Sequence, residues 1–442
     1  MYPNLYYVFK DLFGVEWKSL SFINTFGLLV AIAFMVAAWV LSLELSRKEK
    51  LGLLSPLEET ITVGKPASLY EIISNGFIGF LFGYKLSGMF FSKPENMNPQ
   101  DYIFSSQGNL LGGILFGAFL GFIKWQEKNK VKLKQPERRM VRIWPHDRVG
   151  DIIVLGLVFG ILGAKLFDNF EHWDDFVSHP LQALLSPSGL TFYGGLILAA
   201  VAILIFASKK QIAIQHLVDA AAPTLMIAYA IGRLGCQISG DGDWGIYNSA
   251  YVADATGKVR LANEGEFKKS LQANTTYFLQ GSVINHDRYE VVTDRKYASL
   301  DVVPHYAIKA PSFVPVGLFA YTYPQNVNKD GILMLDIMDE HNRMLPLPVF
   351  PTPLYETIIC SILFLLMWIL RRRIATPLVM FGIYLIANGM ERIVVEMIRV
   401  NKPYSILGIP TTQAQFIAFL LVISGIGLIL FGIYKKRNLT LK

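Results

Sequence analysis

Apolar residues in this chain come in long blocks, not with the short period of a globular core. Nine blocks fall at about 21–44, 71–91, 108–124, 150–167, 190–208, 217–238, 354–370, 375–396 and 411–434. Each is close to the roughly 17–25 residues that cross a bilayer as a helix. The pattern predicts an all-α polytopic membrane protein with about nine transmembrane helices. The first block lacks the basic start and small-residue cleavage site of a signal peptide, so it reads as a span.

Between the sixth and seventh blocks the pattern changes. Residues 239–350 are too many for a loop without structure of its own. They hold alternating stretches at Tyr289–Val292 and Val302–Val303 among many Pro, Asn and Gly. This predicts a small β-rich extracytoplasmic insertion. Residues 1–19 mix Tyr6, Tyr7, Phe9, Phe13 and Trp17 with Lys10 and Asp11, the composition of an outer interfacial segment. The expected organisation is therefore 1–19 interfacial, 20–238 helices one to six, 239–350 insertion, and 351–442 helices seven to nine.

Charge then orients the chain. The net charge is +7, from 41 Lys and Arg against 34 Asp and Glu. The basic residues sit in alternate loops: Arg47, Lys48, Lys50 and Lys65; a dense run from Lys124 to Arg148; Lys209 and Lys210; Arg371–Arg373; and Lys435–Arg437. The positive-inside rule places the N-terminus outside and the C-terminus in the cytoplasm. Basicity of this kind answers to anionic membrane lipid and not to nucleic acid. Cys236 and Cys360 both lie in apolar blocks and form neither a disulfide framework nor a zinc spacing. The loop at Ser239–Gly245 lacks EF-hand ligand spacing, and no metal site is expected.

One internal echo is visible. Gly83-Tyr84-Lys85-Leu86 precedes Gly112-Gly113, and Gly163-Ala164-Lys165-Leu166 precedes Gly194-Gly195 at similar spacing. Two pairs of spans with a shared design would give this pattern, as would chance among glycine-rich helices.

Ionisable groups in spans are costly and mark function or helix pairing. Asn388, Arg392, Glu396 and Arg399 lie on one helical face. They read either as an internal Arg–Glu pair or as a polar wall with surplus positive charge for an anion. Arg233, in Gly232-Arg233-Leu234-Gly235, offers a forked donor set matched to phosphate, or snorkels to the interface. Thr191-Phe192-Tyr193-Gly194-Gly195 opens the fifth span, with Tyr193 facing a cavity or standing in an aromatic belt. Pro351-Thr352-Pro353-Leu354-Tyr355-Glu356 reads first as a helix start, with Thr352 as N-cap and Glu356 in the first turn.

These segments together resemble the prolipoprotein diacylglyceryl transferase family. Gly163-Ala164-Lys165-Leu166 is similar to its G-x-R-L, and Leu190–Gly195 to its S-F-H-G-G. Gly232-Arg233-Leu234-Gly235 with Ser239-Gly240-Asp241 resembles G-R-x-G-N-F-x-N-G-E. Pro351–Glu356 resembles H-P-[ST]-x-L-Y-E, and Gly389, Arg392, Glu396 and Arg399 match G-x-x-R-x-x-x-E-x-x-R. The chain departs from the family at Tyr193 (histidine), Cys236 and Ser239 (asparagines), Asp241 (glutamate) and Phe26 (tyrosine). Nine spans exceed the family's usual seven, and the pair at 71–124 is the natural extra.

The resemblance implies a multi-pass enzyme of the bacterial inner membrane. It would move the diacylglyceryl group of phosphatidylglycerol onto the lipobox cysteine thiol of a prolipoprotein signal peptide, releasing glycerol phosphate. No metal or organic cofactor is implied. The implied catalytic set is Tyr193, Arg392 and Glu396. Phosphatidylglycerol would be bound by Arg233, Asp241, Gly194, Gly195 and Arg399. A tyrosine, with a pKa near about 10, is a weak base for a thiol near about 8.5, so the arginines are expected to matter more. The alternatives are a diverged lipid-headgroup transferase and a transporter or channel for an anionic solute.

Overall fold

The structure, a computed structural model, describes the chain except for residues 92–101, 104, 187–190, 255, 286–287, 294–295, 336, 338, 401–403, 407–408 and 441–442. Its principal helices are α1 (Leu5–Phe13), α2 (Thr25–Lys50), α3 (Leu69–Phe91), α4 (Leu110–Lys130), α5 (Val149–Glu171), α6 (Phe192–Lys209), α7 (Ile214–Ser239), α8 (Glu266–Ala273), α9 (Thr352–Leu370), α10 (Val379–Glu396) and α11 (Gln413–Thr440). Every apolar block of the sequence falls on one of these helices. Five of the described helices are long and apolar enough to cross a membrane: α2, α5 with its preceding turn, α7, α9 and α11. Large apolar side chains such as Ile161, Leu365, Ile369 and Leu430 stand exposed on these helices. That is the surface of a polytopic membrane protein, whose solvent on those faces is lipid.

The chain forms two compact units. One comprises Met1–Glu16, Ile23–Leu41 and Val218–Lys442; the other comprises Trp17–Phe22 and Ser42–Leu217.

The second unit is built on two helical hairpins. In the first, α3 packs on α4; in the second, α5 packs on α6. Both seams run through glycine. A Cβ on Gly83 would come within 2.6 Å of the Gly112 carbonyl oxygen, and one on Gly163 would collide with the Gly194 carbonyl. Only the missing side chain lets the backbones approach so closely. The lead-in to each second helix is also held alike. Asn109 N–H donates to Tyr84 O (2.9 Å), and Thr191 N–H donates to Ala164 O (3.1 Å). Both carbonyls stand one residue past the glycine of the seam. The echo read in the sequence is therefore a repeated hairpin. The first hairpin hangs from a two-stranded antiparallel ribbon, β1 (Leu57–Val63) with β2 (Glu137–Ile143).

In the first unit, α10 and α11 form a third glycine seam: a Cβ on Gly389 would lie 2.6 Å from Ala418 O. Between α7 and α9 the chain leaves the helices for a region of short strands. It includes a four-stranded antiparallel sheet ordered Arg343–Met344, Gly331–Leu333, Arg288–Val292 and Val283–Asn285. Trp244, Tyr247, Phe278, Tyr323, Leu345 and Leu347 give this region a core of its own. Tyr289–Val292 lies in a strand as its alternation predicts. Val302–Val303 does not: it closes the 3-10 turn Leu300–Val302, with Val303 as its C-cap and no strand partner among the described residues.

Candidate active site

Helix α7 carries Tyr229 and Arg233 one turn apart and ends at Ser239. Two glycines in the left-handed region, Gly240 (φ 71°) and Gly242 (φ 70°), then reverse the chain. The N–H groups of Gly240 and Asp241 both donate to Cys236 O, capping the helix. Next the chain is tied on two sides. Gly245 N–H donates to Phe350 O and Ile246 N–H to Ile398 O, each at 2.8 Å. A Cβ on Gly245 would lie 2.7 Å from Ile398 O, so glycine is required where the three segments meet. The Thr352 hydroxyl donates to Asp243 O (2.5 Å). Thr352 is thus not the N-cap expected from the sequence; Pro351 holds that position and Thr352 fixes the turn.

These ties bring four elements to one charged cluster. Glu356, on the second turn of α9, is its hub, with a fully buried side chain. Its carboxylate lies 3.0 Å from Arg233 Nε, 3.3 Å from Arg392 Nη1 and 3.8 Å from Arg399 Nη1. The Tyr229 hydroxyl donates to Glu356 Oε1 (2.9 Å). Asp243 pairs with both Arg233 and Arg399. Arg392 reaches Glu396 Oε2 (3.5 Å), and the Thr412 hydroxyl donates to Glu396 Oε1 (2.7 Å). Arg399 is 9% exposed, Arg233 13% and Arg392 23%, whereas Asp243 is 37% exposed. The cluster is therefore open on the Asp243 and Arg392 side and closed at Glu356.

The expected wall of surplus positive charge is corrected by this geometry. Three guanidiniums meet three carboxylates, because a buried cation is tolerable only beside an anion. Burial pushes the Asp243 carboxyl up, but Arg233 and Arg399 outweigh it and hold it below its usual range. Asp241, two residues earlier, behaves oppositely. Burial first, and the Asp243 charge second, raise it from 3.8 to about 6.

The structure thus joins Arg233, Arg392, Glu396 and Arg399 in one cluster, with Asp241 in the adjoining turn. Tyr193, Gly194 and Gly195 belong to the other unit. They open α6, where Tyr193 is half-buried and the two glycines sit against α5. Sequence reasoning missed Asp243, which lies in the Ser239–Gly245 loop, and the role of Glu356, hidden behind a good capping pattern. It also missed Glu391, 4% exposed, whose carboxylate has no hydrogen-bond partner among the described residues.

Fold and site define a polytopic membrane protein with a buried arginine–carboxylate cluster set by helix ends. The family model for prolipoprotein diacylglyceryl transferase matches residues 113–431, well over half of the sequence, and the chain belongs to that family. Among curated proteins it is similar to a phosphatidylglycerol–prolipoprotein diacylglyceryl transferase of Leptospira interrogans, 35% identical over 124 residues. That match covers 23% of this chain and 39% of the relative. Proteins of the same description from Enterococcus faecalis (36% identical; 22% and 36% covered) and Shouchella clausii (34%; 21% and 33%) are also similar. The matched stretch spans less than two-fifths of each of these relatives.

Proposed function

We propose that this protein transfers the diacylglyceryl group of phosphatidylglycerol to the lipobox cysteine thiol of prolipoproteins, the first step of lipoprotein maturation. Family membership supports the reaction class. The observation that carries the site is the paired grip of Arg233 and Arg399 on one partly exposed carboxylate, Asp243. Two guanidiniums holding a carboxylate are also a fitting pair for a phosphate. In this reading Asp243 keeps the place of the lipid phosphate, and substrate displaces it.

The chemistry is a displacement at carbon. The cysteine sulfur forms a C–S bond to the terminal glyceryl carbon, and the C–O bond to phosphate breaks. The oxygen leaves with the electron pair as glycerol phosphate. Arg233, Arg392 and Arg399 offset the charge that gathers on the departing phosphate. Glu396 fixes Arg392 through its ion pair and the Thr412 hydroxyl. The thiol proton goes to a carboxylate or to water, with Tyr193 orienting lipid through its hydroxyl, aided by backbone at Gly194 and Gly195. Asp241 contacts the glycerol hydroxyls.

The same reading includes nine spans, seven plus the α3–α4 pair, with the N-terminus outside and the C-terminus in the cytoplasm. The region of short strands then lies outside the bacterial inner membrane, beside the incoming signal peptide. Support comes from the alternation of basic loops.

The test is a transfer assay with purified protein, phosphatidylglycerol and a lipobox peptide. Arg233→Ala is expected to lower the rate about 10²- to 10³-fold, the usual worth of a charge-stabilising donor. Tyr193→Phe is expected to lower it less than about tenfold, the worth of one hydrogen bond. An equal or larger loss from the tyrosine change would overturn the ranking. No transfer by the unaltered protein would overturn the function.

A further inference from the structure

The region of short strands carries a loop, Ile308–Phe319, whose two ends close on one buried side chain. Asn248, fully buried, donates from its amide to Ile308 O (2.8 Å) and Phe319 O (3.0 Å), and its Oδ1 accepts from Ile308 N–H (3.1 Å). Ala310 N–H donates to the Tyr251 hydroxyl (2.8 Å). Ala310 and Phe319 pack on Ala250, Tyr251 and Ala320. Within the loop, Val314 N–H donates to Pro311 O (2.9 Å) and Leu318 N–H to Pro315 O (3.0 Å). A segment with joined ends, prolines and turn bonds of its own is a compact Ω-loop, its conformation set before any partner arrives.

What the loop presents is apolar. No residue from Ala310 to Phe319 is charged. Phe313 is 86% exposed, and Pro311, Pro315 and Val316 are exposed with it. A rigid loop that holds phenylalanine out in water gains nothing from water, so its face calls for an apolar partner. Its attachment says which one. The Tyr355 hydroxyl, on the first turn of α9, donates to Leu318 O (2.5 Å). Ile358, Ile362, Leu366 and Ile369 follow Tyr355 at i+3, i+7, i+11 and i+14, on the same helical face. All four are exposed, on a helix long and apolar enough to cross a membrane. The loop is thus fastened to the head of a lipid-facing stripe. Lys309, exposed at the base of the loop, suits the phosphates of the same surface.

We propose that the Ω-loop Ile308–Phe319 inserts into the bilayer, with Phe313 and Val316 among the acyl chains and Lys309 at the phosphates. The occupant is lipid because the loop joins the lipid-facing stripe of α9 and carries no charge from Ala310 to Phe319. It is a second hold on the membrane for a region joined covalently only to α7 and α9. Glu356 follows Tyr355 in α9, so the loop also marks the bilayer surface at the level of the arginine cluster. The inference rests on α9 as a membrane span and not on the transfer reaction.

The experiment uses the full-length protein in nanodiscs of phosphatidylethanolamine and phosphatidylglycerol, doped with a lipid bearing a nitroxide on its acyl chain. Native Cys236 and Cys360 are buried, and the unaltered protein labelled in parallel supplies the background. A fluorophore is placed on Phe313→Cys, on Ile362→Cys as the lipid reference and on Lys268→Cys, exposed on α8, as the water reference. The label at position 313 should be quenched by the nitroxide as strongly as the lipid reference and several-fold more than the water reference. Iodide in the water should quench in the reverse order. A label on Ser312→Cys should behave as the one at position 313. Adding Phe313→Ser and Val316→Ser should lower its nitroxide quenching several-fold, with thermal unfolding unchanged because both side chains are exposed. Iodide quenching at position 313 equal to the water reference overturns the proposal. So does nitroxide quenching at position 312 that survives the double change. Shielding that needs an added lipobox peptide also overturns it, and assigns the loop to an apolar peptide segment.

Discussion

In the first unit the decisive contacts join residues far apart in sequence: Arg233 to Glu356, and Asp243 to Arg399. In the second unit they join neighbouring helices through glycine, and the same arrangement occurs twice, at Gly83 with Gly112 and at Gly163 with Gly194. One region concentrates charge that a membrane protein bears at a cost; the other has almost nothing to neutralise along its seams. The contrast teaches where each region is vulnerable. The cluster depends on balance, so removal of one partner strands the rest. The hairpins depend on shape, so addition of an atom is the damaging change.

The largest expected effect lies at the hub. Glu356→Ala strips three guanidiniums of a shared anion and should destabilise the protein by about 3–5 kcal/mol, read as thermal unfolding in detergent. Glu356→Gln, which keeps the side chain's shape and one acceptor oxygen but removes the charge, should cost nearly as much; a clearly smaller loss would mean that packing and not charge is at stake. In the hairpins, Gly163→Leu should cost about 1–3 kcal/mol by overpacking, and Gly83→Leu a comparable amount. A large loss from one and none from the other would break the equivalence of the two hairpins.

A subtler change separates binding from stability within the cluster. Asp243→Asn removes the carboxylate that keeps the phosphate's place. KM for phosphatidylglycerol should fall by up to about tenfold with kcat little altered, which steady-state transfer assays resolve. A raised KM would show instead that Asp243 helps to hold substrate. The smallest effect concerns Asp241. Its carboxyl is raised from 3.8 to about 6, so its contribution to stability is full below pH 3.8 and is lost as pH rises through about 6. Asp241→Asn should therefore raise the unfolding temperature above pH 6 and leave it unchanged below pH 3.8. A variant whose unfolding curve tracks the parent at every pH would show that Asp241 is well solvated.

Much of this was legible in the sequence. Apolar blocks gave the helices because the bilayer sets their length. The i, i+4 spacing of Arg392 and Glu396 gave their ion pair because both lie on one helix. The glycine echo gave the hairpin seams. What was hidden depended on contacts across distance. Glu356 sits where a capping carboxylate would, so local grammar explained it before its three arginines were in view. Asp243 gained its partners only because Gly245 lets Ile398 and Phe350 close on the turn. The period-2 reading failed at Val302–Val303 because a pair of β-branched residues carries no information about a partner strand.

The β1–β2 ribbon has a consequence for how this chain can vary. Val63 pairs with Glu137, and Leu133 N–H donates to Gly64 O (3.2 Å). The whole α3–α4 hairpin therefore leaves and returns through a gap one strand spacing wide. To the rest of the chain it is a cassette: a tight turn joining Val63 to Glu137 would close the same ribbon in the same register. Length in this part of the protein can thus be gained or lost as a unit, without a frame change in anything that follows.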